Sequence, residues 1–527
     1  MQPRHLLITA LTLLPLASGL SFLIYSPLLG RSHVNFMARL ADVLYDAGHD
    51  VTVIEPILDP LDKPNMIQKY TVISVPQAEF VKANIEEHSK QIQASLWRSS
   101  LWAMRETGRR FFNLQAQQCN ATLDSRSMWK ALEGRKFDAA ISEIFDMCGF
   151  ALFEKIGIEN TAISLSQMTT EGFAQVTGLP SFPSYVPGPM PPAGVKMTFM
   201  ERVKNSLPAI FRPVFLGIMS SKMTEVLDEK YGVNGHTPII DLYAKASMIF
   251  VNTDPFLDFP QPTLHKIVEI GGITVSGGPK PLNQTWSDLF NLRPKTVLLS
   301  FGTVARSYLM PDDYKAKIRE TFRKFPDVTF IWKYEKPEHR ISDGIPNIVE
   351  STFVPQNDML HDPRLSLFVT HCGAGSTIEA TRAGVPLIVI PVMGDQTRNA
   401  QLIPRHEIGV MLQKEDLEES DELEKAVREV LGNPSYRTNA QKLAATLSDR
   451  PFDAKEIFLR NAEFLAKYGP LRQLDHYGTH LNFFQYYLID VFAFLISIVI
   501  IVIVVIFFTC RYACRFVYSR VVKSKVE

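Results

Sequence analysis

The sequence has little of what marks several common classes of protein. Its 527 residues carry a formal net charge of zero, so the composition gives no support for nucleic-acid binding. Five cysteines are too few for a disulfide framework, none falls in a CxxC or zinc-ligand spacing, and a disulfide among Cys119, Cys148 and Cys372 stays an open question. No internal repeat at solenoid spacing is visible. What remains is a globular chain, 46% apolar and long enough for two domains.

Apolar segments stand at both ends of the chain. Residues 1–19 join a basic start to an apolar run and a small-residue cleavage site, the pattern of a secretory signal peptide. Residues 491–510 contain no charge, and as a helix they span about 30 Å, the thickness of a bilayer core. Basic residues fill the segment 511–527 and mark it as a cytoplasmic tail. We therefore predict a transmembrane helix over 491–510 and a lumenal body.

Short signals within the chain agree with a location in the secretory pathway. Lys523 and Lys525 stand five and three positions from the end, a spacing that resembles the dilysine retrieval signal of the endoplasmic reticulum; an ordinary basic flank of a membrane helix has the same residues. Asn120 and Asn283 each begin a glycosylation sequon. The sequence therefore predicts a single-pass type I glycoprotein of the endoplasmic-reticulum membrane.

The most informative stretch is 353–401, which alternates apolar runs with short polar or glycine-rich segments. Residues 365–370 and 386–391 are predicted to be parallel strands buried on both faces. A glycine-rich turn and a helix over about 376–383 lie between them. The start of such a helix offers free backbone N–H groups and a positive dipole end, which together suit a diphosphate.

Polar side chains follow both predicted strands at their carboxyl ends. His371 follows the first strand, and Asp395 with Gln396 follows the second. Open α/β sheets bind their ligands at this edge. A dinucleotide-binding turn is the weaker interpretation, because Gly373-Ala-Gly375-Ser-Thr-Ile378 supplies only two of the three glycines of G-x-G-x-x-G.

Five motifs stand in register across this stretch. They are Phe353-Val-Pro355-Gln356, Thr370-His371-Cys372-Gly373, Glu379 eight residues after the histidine, Gly384-Val385-Pro386, and Asp395-Gln396. Together they closely resemble the donor-binding signature of the UDP-glycosyltransferases, particularly the animal membrane-bound UDP-glucuronosyltransferase-like branch. The resemblance implies an α/β fold of the GT-B type, with two facing Rossmann-like domains, and a hexosyltransferase activity. It implies no metal and no resident cofactor, since the UDP-sugar is a co-substrate.

The resemblance also implies roles for individual residues at the nucleotide and the sugar. Phe353, where the family often has Trp, would stack on the uracil ring, and Gln356 would hydrogen-bond the edge of that ring. Glu379 would accept hydrogen bonds from the ribose hydroxyls. Asp395 and Gln396 would bind hydroxyls of the sugar, and because glucuronate and glucose share such hydroxyls the donor stays open.

The diphosphate would lie between two loops of the same domain. His371 and the backbone amides near Gly373 and Ser376 would hold it from one side. A predicted strand over 296–301 ends in Gly302-Thr303, which resembles the family's turn beside the diphosphate, so Thr303 is expected on the other side. The family commonly has Asn where Gly375 stands here.

The first half of the chain supplies the candidate general base. A strand over 22–25, a loop with His33 and a helix over 34–47 open a βαβ unit. A hydroxyl acceptor needs a base, and an imidazole oriented by a carboxylate is suited to that role. The family places an Asp partner after a strand, and the sequence FDAAISE, with a strand over 137–141, puts Glu143 at that position. Asp146 is the alternative partner.

The combined prediction is a signal peptide at 1–19, an acceptor-binding domain at 20–285 and a UDP-sugar-binding domain at 286–455. Return helices and a membrane-proximal segment follow at 456–490, then the membrane helix and the tail. The predicted reaction transfers glucuronic acid or glucose to a hydroxyl, or another nucleophile, of a small lipophilic acceptor. The alternative is an inactive lipophile-binding protein of the same fold, based on Glu143 and Gly375. Homo-oligomerisation is compatible with the sequence.

Overall fold

The computed structural model of the chain describes residues 19–64, 67–98, 101–168, 178–188, 194–275, 278–419 and 421–523. All of the predicted signal peptide except its last residue lies outside these ranges, and so does Lys525 of the predicted retrieval signal. The described residues form two compact units, 1–474 and 475–527 in chain numbering, of which the first holds both large sheets.

The first sheet has seven parallel strands in the order β3-β2-β1-β4-β5-β6-β7. The strands are β1 Ser21–Tyr25, β2 Asp50–Pro56, β3 Thr71–Val75, β4 Ala139–Glu143, β5 Thr161–Leu165, β6 Met248–Val251 and β7 Ile267–Glu269. The helices of this part are α1 Arg31–Asp46, α2 Glu79–Trp97, α3 Leu101–Leu123, α4 Arg126–Leu132, α5 Cys148–Ile156, α6 Phe199–Tyr231 and α7 Ile239–Ala244.

The second sheet repeats this strand order with six parallel strands, β10-β9-β8-β11-β12-β13. The strands are β8 Lys295–Ser300, β9 Val328–Lys333, β10 Ile348–Ser351, β11 Leu365–Thr370, β12 Leu387–Val389 and β13 Gly409–Met411. The helices that follow β7 are α8 Gln284–Phe290, α9 Asp312–Arg323, α10 Gln356–Leu360, α11 Ala374–Ala383, α12 Gln396–Ala400, α13 Leu402–Arg405, α14 Asp416–Glu419, α15 Glu422–Gly432, α16 Ser435–Ser448 and α17 Ala454–Tyr468.

Both sheets are buried on both faces, as continuous apolar strands require. β4 and β5 are buried along their whole lengths, and so is β12. In each sheet the strand order reverses beside the first strand, between β1 and β4 and between β8 and β11. Doubly wound sheets bind ligands in the crevice at such reversal points. The predicted pair of Rossmann-like domains is confirmed.

Buried contacts join the two sheets into one unit. The ring of Trp97, at the end of α2, is fully buried in the core of the second sheet and lies edge-on to Phe301 at 5.0 Å. Arg398 of α12 forms a buried ion pair of 2.7 Å with Asp258, in the segment that connects the sheets. α17 crosses back and packs Phe458 against Phe250 of the first sheet. The C-terminal helices therefore close on the first sheet.

Two local predictions need correction. α1 begins at Arg31 rather than at 34, so His33 lies in the first turn of the helix and not in the preceding loop. The helix starts earlier because Gly30 takes a φ of 72°, and the carboxylate of Asp62 accepts a hydrogen bond of 2.6 Å from its N–H. β4 runs to Glu143 instead of ending at 141, which makes Glu143 the last residue of the strand.

Cys119 and Cys148 are joined by a disulfide between α3 and α5, while Cys372 is a free thiol buried in the second sheet's core. The sequence did not distinguish these pairings, because the three residues are widely separated along the chain. The bond ties the helical segment after β3 to the helix that follows β4.

The second unit contains α18 Phe483–Tyr486 and α19 Ile489–Lys523. Residues Ile489–Arg520 of α19 form a helix that is long and apolar enough to cross a membrane, and in the described chain no other helix has this character. The helix extends past both ends of the predicted span 491–510, since the basic tail continues it.

Candidate functional site

The candidate site lies where the strand order reverses in each sheet. His33 stands in the first turn after β1, and Glu143 ends the neighbouring strand β4. In the second sheet, Gly302 and Thr303 follow β8 and His371 follows β11. The fold thus brings sequence positions that are about a hundred residues apart, or seventy in the second sheet, to a shared edge.

His33 is held by a carboxylate and a hydroxyl on adjacent strands. Its Nδ1 lies 3.1 Å from Oε2 of Glu143 and 2.6 Å from Oγ of Ser166, the residue that follows β5. The hydroxyl and the backbone N–H of Ser166 each lie 3.2 Å from Oε1 of Glu143, so both donate to the carboxylate. Phe145 presses edge-on against the imidazole at 5.1 Å. The ring is therefore fixed through Nδ1, with its other nitrogen free of these contacts.

The surroundings of His33 favour its charged form. Burial disfavours the imidazolium, but the carboxylate of Glu143 and its hydrogen bond act more strongly together, so the pKa of His33 is raised above its ordinary value. Glu143 is almost fully buried, whereas the His33 side chain keeps 31% of its surface exposed. A buried carboxylate behind a partly open imidazole is suited to orient a base.

Asp146 has a different role from the one considered in the alternative. Its Oδ1 accepts the backbone N–H of Cys148 at 2.9 Å, which caps the start of α5, and its Oδ2 is buried without a hydrogen-bond partner among the described residues. Burial raises the pKa of Asp146 to about 7. The carboxylate that meets His33 is thus that of Glu143.

Asp395, in the loop after β12, is electrostatically coupled to His33. The charge of Asp395 raises the pKa of His33, and the charge of His33 lowers the pKa of Asp395. Burial raises the pKa of Asp395, whose Oδ2 accepts a hydrogen bond of 2.8 Å from Asn399. Gln396 turns its Oε1 inward, where it accepts the backbone N–H groups of Val392 and Met393 at 2.9 and 3.0 Å. Gln396 therefore shapes the loop that carries Asp395.

His371 lies between two glycines. A Cβ at Gly302 would come within 2.6 Å of the imidazole Cε1, and one at Gly373 within 2.7 Å of Nε2. Gly302 also has a φ of 77°, which L side chains rarely adopt, and Cys372 turns the chain behind the ring with a φ of 63°. Burial, reinforced by the charge of Lys333, lowers the pKa of His371 to about 4. A neutral imidazole therefore faces the loop of Gly302.

The remaining residues predicted to bind the nucleotide lie in α11, at and just before the start of α10, and after β8. Nε2 of Gln356 donates to Oε2 of Glu379 at 2.7 Å and approaches Oγ of Ser376 at 3.1 Å. Burial raises the pKa of Glu379. Phe353 is 62% exposed, as a ring that stacks on a base would be, and Thr303 is exposed beside the turn after β8. Gln356, Ser376 and Glu379 thus form one polar cluster.

Ser166 is the contact that sequence reasoning missed. It lies directly after β5, and Asn252 donates to its carbonyl oxygen at 2.8 Å, which fixes the turn. The only sequence signal is a serine at the carboxyl end of a buried strand. That signal becomes informative once β5 is known to pair with β4, opposite Glu143.

Two domains with parallel, Rossmann-like sheets and polar loops at the strand-order reversals define the GT-B fold. Solved structures of that class agree: a UDP-glucosyltransferase from Polygonum tinctorium, solved in a complex with 3,4-dichloroaniline, matches with a TM-score of 0.58 at 15% identity. The match covers 86% of this chain and 99% of that one, and it shows the fold.

Sequence comparison places the chain within that class. The model of the family described as UDP-glucoronosyl and UDP-glucosyl transferase matches residues 26–525, and the chain belongs to this family. A relative in the nematode Caenorhabditis briggsae, ugt-47, which its name assigns provisionally to the UDP-glucuronosyltransferases, is 28% identical over 96% of both chains. UDP-glucuronosyltransferase 1A7 of Mus musculus is 28% identical over 97% of this chain and 96% of its own length. The chain is a UDP-dependent hexosyltransferase of the glucuronosyltransferase-like branch.

Proposed function

We propose that the chain transfers a glucuronosyl or glucosyl group from its UDP-sugar to a hydroxyl, or another nucleophile, of a small lipophilic acceptor, with His33 as the general base. The hydrogen bond between Nδ1 of His33 and Glu143 carries this proposal. It leaves Nε2 as the nitrogen that accepts a proton, because a proton on Nδ1 satisfies the carboxylate. Glu143 is the positioning residue of this pair.

The proposed reaction is a single displacement. Nε2 of His33 takes the proton of the acceptor hydroxyl while that oxygen forms a bond to the anomeric carbon of the sugar. The bond from that carbon to the diphosphate oxygen breaks, and UDP leaves with the electron pair. Glu143 stabilises the imidazolium that forms, and the charge of Asp395 also favours it. The negative charges of Glu143 and Asp395 therefore favour protonation of His33 during the transfer.

The second domain is proposed to hold the donor, and the first the acceptor. The exposed ring of Phe353 suits the uracil, and the cluster of Gln356 and Glu379 suits the base edge and the ribose. The backbone near Gly373 and Ser376, at the start of α11, offers N–H groups to the diphosphate, with His371 and Thr303 beside it. Asp395 and Gln396 are proposed to contact the sugar.

The proposed location is the endoplasmic-reticulum membrane, with the body lumenal and α19 as the single span. The support is the apolar stretch of α19 and the basic residues that follow it. Endoglycosidase H should collapse the gel mobility of the protein if it is retained there with its sequons occupied. Resistance, with Asn120 and Asn283 both carrying glycans, would show passage through the Golgi and contradict retrieval.

A direct assay tests the reaction. The full-length protein, purified in detergent with its membrane helix, is incubated with radiolabelled UDP-glucuronate or UDP-glucose and a panel of phenols. We expect transfer of label to at least one phenol, and competition between the two donors then identifies the sugar. Binding of the phenols without any transfer from either donor would favour the inactive lipophile-binding alternative.

A further inference from the structure

The first half of α6 presents a continuous apolar stripe to the outside of the first domain. Its members share an exposed surface and helical spacing: Phe199, Met200, Val203, Leu207, Ile210, Phe211, Val214 and Ile218. They are 40% to 68% exposed, and at about 100° per residue they cover roughly a third of the helix circumference. Scattered apolar residues are ordinary on soluble proteins, whereas a patch of this size marks an interaction surface.

The second half of the same helix behaves in the opposite way. Leu216, Met219, Met223 and Leu227 are buried in the core beside the first sheet. One helix thus secures itself in the domain at its C-terminal end and exposes its apolar residues at its N-terminal end. Thr198 and Glu201 form a capping box that stabilises the start of the exposed part.

The charges beside the stripe are almost all positive. Between residues 196 and 218, the segment of the stripe, the sequence has four Lys and Arg residues and a single acid, Glu201, whose carboxylate is used by the cap. The next cation of the helix, Lys222, lies beyond the stripe and is already paired with Glu225 at 2.6 Å. Apolar residues on one face with cations beside them are typical of helices that lie in a membrane interface.

We propose that the α6 stripe, defined by these eight residues, lies in the headgroup region of a lipid bilayer and seats the first domain on the membrane. A bilayer is expected next to the protein, because α19 is long and apolar enough to cross one. A body tied to a membrane meets its surface at a high effective concentration, so even a modest affinity of the stripe keeps it bound. The cations then lie near lipid phosphates.

A second copy of the chain fits the stripe less well. A two-fold contact places the same patch on both partners, so the cations beside each stripe would face those of the other. The single acid of the segment is engaged within its own helix, which leaves no carboxylate there to pair with them. Like charges brought together oppose association. The bilayer, with anionic phosphates and an apolar interior, satisfies both features of the stripe.

Contact of the α6 stripe with the membrane has a consequence for the acceptor. Lipophilic molecules concentrate in the bilayer, and the helix that carries the stripe packs its other end into the domain that holds His33. This consequence rests on the proposed function, whereas membrane contact by the stripe does not.

The test separates the stripe from α19. The full-length protein is reconstituted in phosphatidylcholine vesicles with a specific protease site inserted in the segment 475–481, then cleaved and sedimented. We expect the released body to stay with the vesicles. The triple variant Leu207→Ser, Ile210→Ser, Phe211→Ser should move at least tenfold more body into the supernatant, with an unchanged near-ultraviolet circular dichroism spectrum.

A matched control removes three exposed apolar residues of the same domain that lie outside the stripe, Tyr45→Ser, Phe80→Ser and Val233→Ser. This variant should stay with the vesicles. Release of the unaltered body on cleavage, or equal release of the two triple variants, would overturn the proposal.

A second measurement identifies the occupant without disturbing the fold. A photoreactive benzoylphenylalanine in place of Ile210 in the uncleaved protein should form adducts with phosphatidylcholine. A crosslinked dimer would show that a second copy covers the stripe, and the absence of both products would show that it faces water; either result would overturn the proposal.

Discussion

Two histidines, one beside the strand-order reversal of each sheet, have opposite electrostatic surroundings. His33 follows the first strand of its sheet and meets three carboxylates, Glu143 in contact and Asp395 and Asp62 farther away, which outweigh burial and raise its pKa. His371 follows the fourth strand of the second sheet, where burial and the charge of Lys333 lower its pKa to about 4. One site favours an imidazole that accepts a proton, and the other keeps its imidazole neutral.

The difference agrees with the roles proposed for the two residues. A base must take up a proton during the reaction and be stabilised once it is charged. A histidine beside a diphosphate can act as a neutral N–H donor, because the helix start of α11 already supplies positive potential. Under the proposed function, the same residue type thus serves different purposes in the two domains, and its charged neighbours decide which.

Substitution of either histidine should have the largest effect and tests the comparison of the two residues most directly. His33→Ala should lower kcat by at least ~100-fold, the usual scale for loss of a general base, and leave UDP affinity unchanged. His371→Ala should weaken UDP binding in the same assays. Steady-state kinetics with a phenolic acceptor and calorimetric titration of UDP measure the two effects. Unchanged turnover in His33→Ala would remove this residue from the mechanism.

The carboxylate pair gives the next largest effect. Glu143→Gln should lower kcat by ~10- to 100-fold, because the amide cannot stabilise the imidazolium as a carboxylate does. The acid limb of the kcat profile should also move to lower pH, since the raised pKa of His33 depends on Glu143 and the base works only when neutral. Asp146→Asn is the matched control and should have a milder effect, because Asp146 caps α5. The reverse order would transfer the role to Asp146.

How well the sequence predicts a site depends on how close together the residues of that site lie along the chain. Most residues predicted to bind the nucleotide fall within 353–396, so their motifs could be recognised in the sequence, whereas the contact of Gln356 with Glu379 was not predicted. His33 was singled out because it follows a predicted strand, and Glu143 because the family pattern places a carboxylate at its position, with Asp146 as the alternative. Ser166 depends on the pairing of β5 with β4, which spacing does not reveal. The outward face of α6 was also missed, because apolar residues at helical spacing ordinarily predict burial.

Substitutions in the polar cluster of the second domain test the proposed nucleotide site. Glu379→Ala should weaken UDP and the UDP-sugar together by about tenfold to a hundredfold, the scale of one hydrogen bond to a carboxylate. Gln396→Ala should weaken the UDP-sugar and leave UDP nearly unchanged, because its loop carries Asp395. Calorimetric titration of both ligands compares the two variants.

If Gln396→Ala weakens UDP as much as Glu379→Ala does, the proposed order of ribose and sugar along the site is wrong. Titration of NAD into the unaltered protein should give no heat of binding, and micromolar binding would revive the dinucleotide interpretation of the turn at Gly373.

The smallest expected effect concerns Ser166, which touches both members of the His33–Glu143 pair. Ser166→Ala should lower kcat by ~2- to 10-fold, the scale of one neutral hydrogen bond, with little change in the KM for the donor. The hydroxyl accepts from Nδ1–H at 2.6 Å and so stabilises the charged ring; its loss should lower the pKa of His33 and move the acid limb of the kcat profile to lower pH. Ser166→Thr keeps a hydroxyl and should return the acid limb to its original pH.

In a Glu143→Gln background the substitution of Ser166 by Ala should have a weaker effect, since Ser166 and Glu143 act through the same imidazole ring. A limb that does not move in Ser166→Ala, with kcat nevertheless reduced, would mean that the serine supports only the turn after β5.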